Sequence, residues 1–430
     1  MRNLIWFRND LRTLDNVVLH EATKHAEKVI GIYCLDPKYF EETPYGFKKT
    51  EKYRAQFLLE TLEDLRSELE DLNIDLLVYH ERPDVIIPQV CETYAITDIH
   101  IQKEWTQEEV DEERNVQQEL PTSITWHRHY NQFLFHPDDI NFEIEKTPQV
   151  FTVFRKKLEK YVDIRKEVHV EAQPETNRID NPTDIPSIAD LGFLSFTMHP
   201  NTAFPFKGGE NEALARLDCY FFQSKKLGFY KKTRNGLVGR DYSSKFSPWL
   251  ANGSLSARTI YWKVKQFEQE HFKNQSTYWL IFELIWRDYF KYVSLKHGNA
   301  IFKLHGILNK NYDWSSEPCK IAQWINGETA SDFVNANMIE LKETGWMSNR
   351  GRQNVASYFA KELYLDWRIG AAYFESLLLD YDVHSNYGNW MYVSGVGNDP
   401  RDRKFNVDMQ ADRYDTDGRF RKLWLQTTLF

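Results

Sequence analysis

Residues 344–397 read TGWMSNRGRQNVASYFAKELYLDWRIGAAYFESLLLDYDVHSNYGNWMYVSGVG. Apolar residues recur at helical spacing over 350–363 and again over 368–379, which predicts packed helices. The same stretch sets Asn349, Arg352, Asp380, Asp382 and Asn386 among Trp346, Trp367 and Trp390. Helices that only fill a core do not need polar groups at such spacings, so this segment is expected to line a site as well as to pack. Working backward, helical periodicity recurs in 330–343, 277–296, 254–272 and 208–223, and no strand alternation returns in this half.

The other end of the chain reads differently. LIWF (4–7), VIGIYCL (29–35), DLLVYH (75–80) and DIHIQ (98–102) are short apolar runs separated by helical stretches near 14–27, 51–72 and 83–94. Such alternation predicts a parallel, doubly wound sheet with helices on both faces. No GxGxxG follows the first strand, so the dinucleotide fingerprint is missing. Between about 130 and 200, Pro137, Pro148, Pro174, Pro182, Pro186 and Pro200 break up any long element. The expected organisation is an α/β domain over 1–130, a connector over 131–200 wrapped on the surface, and an all-helical domain over 201–430, without internal repeats.

Composition agrees with a folded two-domain protein: 430 residues exceed the size at which a single core keeps growing. Aromatics make up 15% of the chain, enough to enclose a large planar group. Cys34, Cys91, Cys219 and Cys319 are far apart and show neither metal-ligand pairing nor a disulfide framework. MRNLIWFRNDLR enters a strand pattern directly, with no signal peptide or transmembrane span. The expectation is a cytosolic, metal-free monomer. The net charge of −9 is unevenly spread: from Glu60 to Glu119 eighteen acids face four bases, whereas from Lys225 to Lys245 seven bases face only Asp241. A phosphate backbone responds to the local patch, because fields are screened beyond roughly 8 Å at physiological salt. Net charge therefore does not exclude DNA, although such a run also suits a plain solvated surface.

WMSNRGR, DWR, LDYD and NYGNW resemble the flavin-binding core of the photolyase/cryptochrome family. NYGNWMY, together with NGLVGRDYSSKFSPWLANGSLS at 235–256, looks most like its cryptochrome-DASH branch, and the likeness runs from IWFRNDLR to the final WLQTTLF. The resemblance implies FAD in the helical domain and an antenna chromophore, most commonly a folate such as methenyltetrahydrofolate or a deazaflavin, on the α/β domain. Glu104 falls near the antenna contact, where a solvated loop acid is the alternative. In YSSKFSPWLANGSLS, hydroxyls ahead of a helix could take up a pyrophosphate, helped by the helix dipole and Lys245, or simply cap and turn. The family's phosphate segment matches Ser243, Ser244, Lys245, Phe246 and Ser247, with Tyr230 upstream. Its ring and ribose contacts match Asn349, Arg352, Asp380, Asp382 and Asn386. An Asp380–Arg352 ion pair is expected beside the ring, and Asn386 is expected opposite flavin N5. Helix C-terminal capping is the alternative for the two aspartates, and a surface salt bridge for Arg352.

The likeness further implies an electron relay of Trp390, Trp367 and Trp314, with Trp324 or a nearby tyrosine as a branch. Glu283 and Trp286, three apart and so on one helix face, match the residues that contact and stack a flipped pyrimidine dimer; the alternatives are a Glu283–Arg287 pair and a core tryptophan. Tyr392 stands where dimer photolyases of duplex DNA usually have a second tryptophan. The implied activity is light-driven repair of cyclobutane pyrimidine dimers, preferentially in single-stranded DNA. A photoreceptor without repair is the rival, and one with a long C-terminal extension would not end at WLQTTLF. A nucleic-acid-binding protein with a structural flavin, or one that also binds RNA, is a third class.

Overall fold

In the computed structural model, which describes residues 1–399 and 401–426, five strands form one sheet. The last four residues of the WLQTTLF ending lie outside the described residues. The strands are β1 (Arg2–Trp6), β2 (Lys28–Cys34), β3 (Asp75–Tyr79), β4 (Asp98–Gln102) and β5 (Thr125–His129). All neighbours pair in parallel, in the order β3-β2-β1-β4-β5, with Leu4 opposite Ile30 on one side and Ile99 on the other. Alternate residues of β1 feed two cores. Ile5 packs with Val29 and Leu76 on one face, and Leu4 and Trp6 pack with Ile30 and Ile101 on the other. Helices α1 (Val17–Thr23), α2 (Lys52–Asp71), α3 (Pro83–Thr93) and α4 (Gln107–Glu119) supply the cover, as a doubly wound sheet requires.

Two expectations need correction here. The sheet has a fifth strand, TWHRH, which lacks an apolar run because it lies at the sheet edge with its side chains exposed or half-buried. The connector also contains a regular element, α5 (Phe151–Tyr161), whose Phe151, Phe154 and Leu158 are buried in the helical core. It fits between Pro148 and Pro174, so no proline breaks it.

The remaining chain is helical: α6 (Glu210–Asp218), α7 (Tyr230–Thr233), α8 (Ser247–Ala251), α9 (Ala257–Glu270), α10 (Gln275–His297), α11 (Pro318–Asn326), α12 (Asp332–Thr344), α13 (Asn349–Lys361), α14 (Trp367–Leu377), α15 (Val383–Ser394), α16 (Val407–Tyr414) and α17 (Arg419–Leu425). α10 is central, packing against α5, α7, α9 and α15. Its start carries a capping box in which Asn274 and Thr277 satisfy each other's backbone N–H groups.

The two halves are joined by buried polar contacts rather than by apolar surface alone. Asp15, after β1, forms an ion pair with Arg258 of α9 at 2.6 Å, both almost fully buried. The Thr13 N–H donates to Glu210 Oε2 at 2.8 Å. Gly253, at φ +77°, abuts the Asn9 carbonyl so closely that any β-carbon would collide with it. Among the described residues no helix is long and apolar enough to cross a membrane.

Candidate functional site

A cavity of about 560 Å³ opens in the helical half. The loop before α8 contributes Ser243, Ser244, Lys245 and Phe246, with Ser247 at the helix start; α7 contributes Tyr230, and α10 contributes Glu283 and Trp286. Asn349 and Arg352 from α13, the turn residues Asp380 and Asp382, and Tyr392 from α15 complete the wall. Thirteen positions scattered over 163 residues of sequence thus converge on one space.

The deep end is built for charge. Lys245, at φ +67°, is only 2% exposed. Its ammonium lies 3.4 Å from the Tyr242 ring centre and 4.3 Å from that of Trp346, with no hydrogen-bond partner. Burial pushes its pKa well below that of an ordinary lysine, while the neighbouring Glu340, also buried, is pushed up to about 8. A buried, unpartnered ammonium beside a hydroxyl-rich loop is what an anionic phosphate would satisfy. The helix dipole adds little to this, because α8 is only five residues long. The Asp380–Arg352 pair forms as expected: Arg352 Nη2 lies 2.9 Å from the carboxylate, and Nε donates to the Met347 carbonyl at 2.9 Å. Neither aspartate caps a helix C-terminus. Asp382 caps the start of α15, accepting from the Ser385 N–H at 2.7 Å, and pairs with Lys291 at 2.8 Å. Burial raises the Asp382 pKa, but Lys291, His384 and Arg287 outweigh it and hold the carboxyl far below its usual range.

Asn386 is placed differently from the rest. It lies buried on α15 with Nδ2 donating to the Ala371 carbonyl at 3.0 Å, while Ser385 and Asn389 of the same helix reach the cavity wall.

Aromatic rings shape the mouth. Trp286 lies flat on Phe151, centroids 3.7 Å apart at 10°, and meets Tyr392 edge-on at 6.1 Å and 90°. The Tyr392 hydroxyl accepts from Arg403 Nη2 at 3.3 Å. Glu283 does not pair with Arg287, whose guanidinium instead donates to the Gln132 and Leu250 carbonyls. Its partner is Arg234. Burial raises the Glu283 pKa against the opposing pull of Arg234. The sequence reading missed Arg234 and Phe151: the first stood within the basic run and the second within the connector.

Of the three tryptophans expected to form a relay, two are buried and one is half-buried. Trp390 is fully enclosed, with Phe374, Phe359 and Trp324 centred 5.1, 5.9 and 6.2 Å away. Its ring presses on Gly370, where a side chain could not be accommodated, one turn along α14 from Trp367. Trp367 is buried and donates to the Leu304 carbonyl at 3.0 Å. Half-buried Trp314 donates to the Ala360 carbonyl at 2.9 Å, and the Asp366 N–H, just before Trp367, donates to the Ser315 carbonyl at 2.8 Å.

A second cavity, about 680 Å³, lies between the halves. Arg8, after β1, and Gln102 and Glu104, at the end of β4, line it. In the strand order, these are the carboxyl ends where the winding reverses, the general ligand position of open α/β sheets. Glu104 is no solvated loop acid: it accepts from Gln102 Nε2 at 2.7 Å, and burial pushes its pKa up to about 7. Ala251, Arg287 and Asp382 line both cavities.

Residues 3–176 match the model of the DNA photolyase family, and residues 279–428 match that of the FAD binding domain of DNA photolyase. A cryptochrome DASH from Gloeobacter violaceus is 46% identical over 425 residues, covering 98% of this chain and 85% of the relative. The chain belongs to the cryptochrome DASH branch of the photolyase/cryptochrome family. Another cryptochrome DASH, from Xenopus laevis, is 44% identical over 425 residues, covering 97% of this chain and 81% of the relative. The crystal structure of a Synechocystis cryptochrome superposes with TM-score 0.94 at 44% identity, covering 99% of this chain and 88% of that one. A class III photolyase from Agrobacterium tumefaciens shares the fold, with TM-score 0.80 at 24% identity. Within the helical half, residues 279–428 make up the FAD-binding domain of this family.

Proposed function

We propose that this protein repairs cyclobutane pyrimidine dimers with light, acting best on single-stranded DNA. The observation that carries the reading is one cavity with a phosphate-seeking Lys245 loop at its deep end and Glu283, Trp286 and Tyr392 at its mouth. When bound there, reduced FAD supplies on excitation the electron that splits the cyclobutane ring, and it takes that electron back. The protein's residues do the rest. Ser243, Ser244, Ser247 and Lys245 hold the pyrophosphate. Arg352, fixed by Asp380, sets positive charge beside the ring, and Tyr230 and Asn349 complete its enclosure. Asn386, if its amide turns from Ala371, offers a neutral partner to N5. Trp390, Trp367 and Trp314 carry electrons inward from the surface to restore the reduced cofactor. Glu283, braced by Arg234, donates or accepts hydrogen bonds at the flipped bases according to its protonation, and its raised pKa eases that exchange. The 680 Å³ cavity is assigned to an antenna, a folate such as methenyltetrahydrofolate, with Glu104 as a contact.

The preference for single strands follows from energetics. Stacking contributes about 1–3 kcal/mol per base, and extruding a paired base costs a few kcal/mol, a general rule for base-flipping enzymes that includes photolyases. Trp286 presents a full indole backed by Phe151, but Tyr392 meets it only edge-on and offers a smaller ring. Recovery is therefore smaller than with two indoles, and an unpaired dimer avoids the cost.

The test is illumination of reduced holoprotein with a thymine-dimer oligonucleotide, single-stranded and duplex in parallel, following recovery of thymine absorbance. Faster repair of the single strand is expected; equal rates would overturn the flipping argument, and flavin photoreduction without repair would place the protein among the sensors. Glu283→Ala removes a hydrogen bond to a charged or proton-sharing group, about 1.5–3 kcal/mol. Productive splitting should then fall roughly 10- to 100-fold against futile electron return, with flavin content unchanged. Wild-type repair by this variant would remove Glu283 from the mechanism.

A further inference from the structure

Trp314 has an aromatic neighbour of its own on the side of Asp402. The Tyr312 ring stacks on Trp314 with centroids 4.9 Å apart and planes 24° from parallel. Its hydroxyl donates to Asp402 Oδ2 at 2.7 Å. The other carboxylate oxygen of Asp402 is held by the Lys361 ammonium, which also lies 4.9 Å from the Tyr312 ring centre. The three groups close around Gly395, at φ +87°, where a β-carbon would come within 2.7 Å of the tyrosine oxygen and 2.8 Å of Lys361 Nζ. This is a built cluster, since only a glycine lets phenol, carboxylate and ammonium meet.

We propose that Tyr312 is the terminal electron donor of the relay, oxidised by the Trp314 cation radical while its phenol proton passes to Asp402. The inference rests on the tryptophan relay of the preceding subsection, in which Trp390 and Trp367 would pass an electron inward to a bound, photoexcited flavin. A phenol is hard to oxidise with its proton in place, because its cation radical is a very strong acid, and a carboxylate at hydrogen-bond distance removes that obstacle. One electron moves from Tyr312 to Trp314, restoring the neutral indole. One proton moves from the phenol oxygen to Asp402 Oδ2. The products are a neutral tyrosyl radical and a protonated carboxyl, with total charge unchanged. A thiolate in solution then gives one electron to the tyrosyl radical, becoming a thiyl radical, and Asp402 returns the proton. At rest the proton stays on the phenol. Burial and Asp402 push the Tyr312 pKa up to about 12, while burial of Asp402 is outweighed by its contacts with Lys361 and Tyr312, which keep it ionised. The Lys361 charge beside the ring disfavours a ring cation, so electron and proton leave together. Proton loss locks the hole at the surface, because return to Trp314 needs the proton back.

The test is laser-flash photolysis of oxidised, flavin-loaded protein, with transient absorption and rapid-freeze electron paramagnetic resonance on samples carrying ring-deuterated tyrosine. In wild type a tryptophan radical should convert to a tyrosyl radical whose hyperfine pattern changes on deuteration, and D2O should slow the conversion. Tyr312→Phe should leave only the tryptophan radical, lost to charge recombination about tenfold sooner, and Asp402→Asn should slow tyrosyl formation by about tenfold. A tyrosyl radical that persists in Tyr312→Phe would assign the donor to another residue and overturn the proposal. So would a wild-type tryptophan radical that never converts, or an Asp402→Asn rate equal to wild type. If no tryptophan radical forms at all, the relay itself is wrong and the proposal goes with it.

Discussion

Lys291→Met is expected to lower folding stability by about 3–5 kcal/mol at neutral pH, the usual cost of leaving a buried ion without its partner. Methionine keeps most of the aliphatic stem, so the loss isolates the charge. Lys291 is the closest cation to Asp382, at 2.8 Å, and Glu104, Arg287 and His384 are the other titratable or charged groups around the pair. In wild type the depressed pKa of Asp382 contributes stability that is present at neutral pH and lost only in strong acid. Without Lys291 the burial contribution dominates and the folded pKa rises above the unfolded one. The deficit should then shrink as pH falls and Asp382 takes a proton on folding. Urea unfolding of wild type and variant in neutral and mildly acidic buffer measures this. A deficit that is constant or grows in acid would show that Lys291 does not govern Asp382.

Asp15→Asn should cost a similar amount, about 3–5 kcal/mol, by a different route. Asparagine keeps the size and tolerates the positive φ of 52° at this position, but it leaves Arg258 buried without its paired carboxylate and removes one of the three acids, with Asp10 and Glu210, that offset Arg12. The Asp15 carboxylate accepts from Arg258 at 2.6 and 2.9 Å and from the Val168 N–H at 3.1 Å, and Arg12 binds its carbonyl at 2.9 Å. One side chain therefore ties the loop after β1 to the connector and to α9. Denaturation followed by circular dichroism and by flavin fluorescence should show two separated transitions where wild type shows one. A single transition with a loss below about 1 kcal/mol, the level of a surface pair, would mean that the halves are held by other contacts.

What the sequence revealed follows physical lines. Four strands were legible because both faces of the sheet are covered, which leaves continuous apolar runs such as LIWF and DIHIQ; β5, an edge strand with half-wet side chains, has no such run. α15 was legible as a set of motifs but not by period, because residues that serve the site interrupt its apolar stripe. Fourteen cofactor, substrate and antenna positions named from the sequence line one or other cavity. Asn386 is the departure, since helical phase turns its amide toward α14. The partner of Glu283 was missed for a simpler reason. Spacing arguments favour Arg287, four residues away on the same helix, whereas Arg234 is 49 residues distant and meets Glu283 only when α7 folds against α10. Phe151 is invisible in the same way: nothing local marks a connector phenylalanine as the floor beneath an indole.

Ala251, Arg287 and Asp382 form a partition between two chambers, and at those positions it is a single residue thick. A chromophore seated in the larger chamber would stand next door to the cofactor in the smaller one. Resonance transfer of excitation, which fades steeply with separation, would have its shortest route through that wall. A wall with two lined faces cannot be re-cut for one tenant alone, so under the proposed assignment light harvesting and redox chemistry would have to be adjusted together.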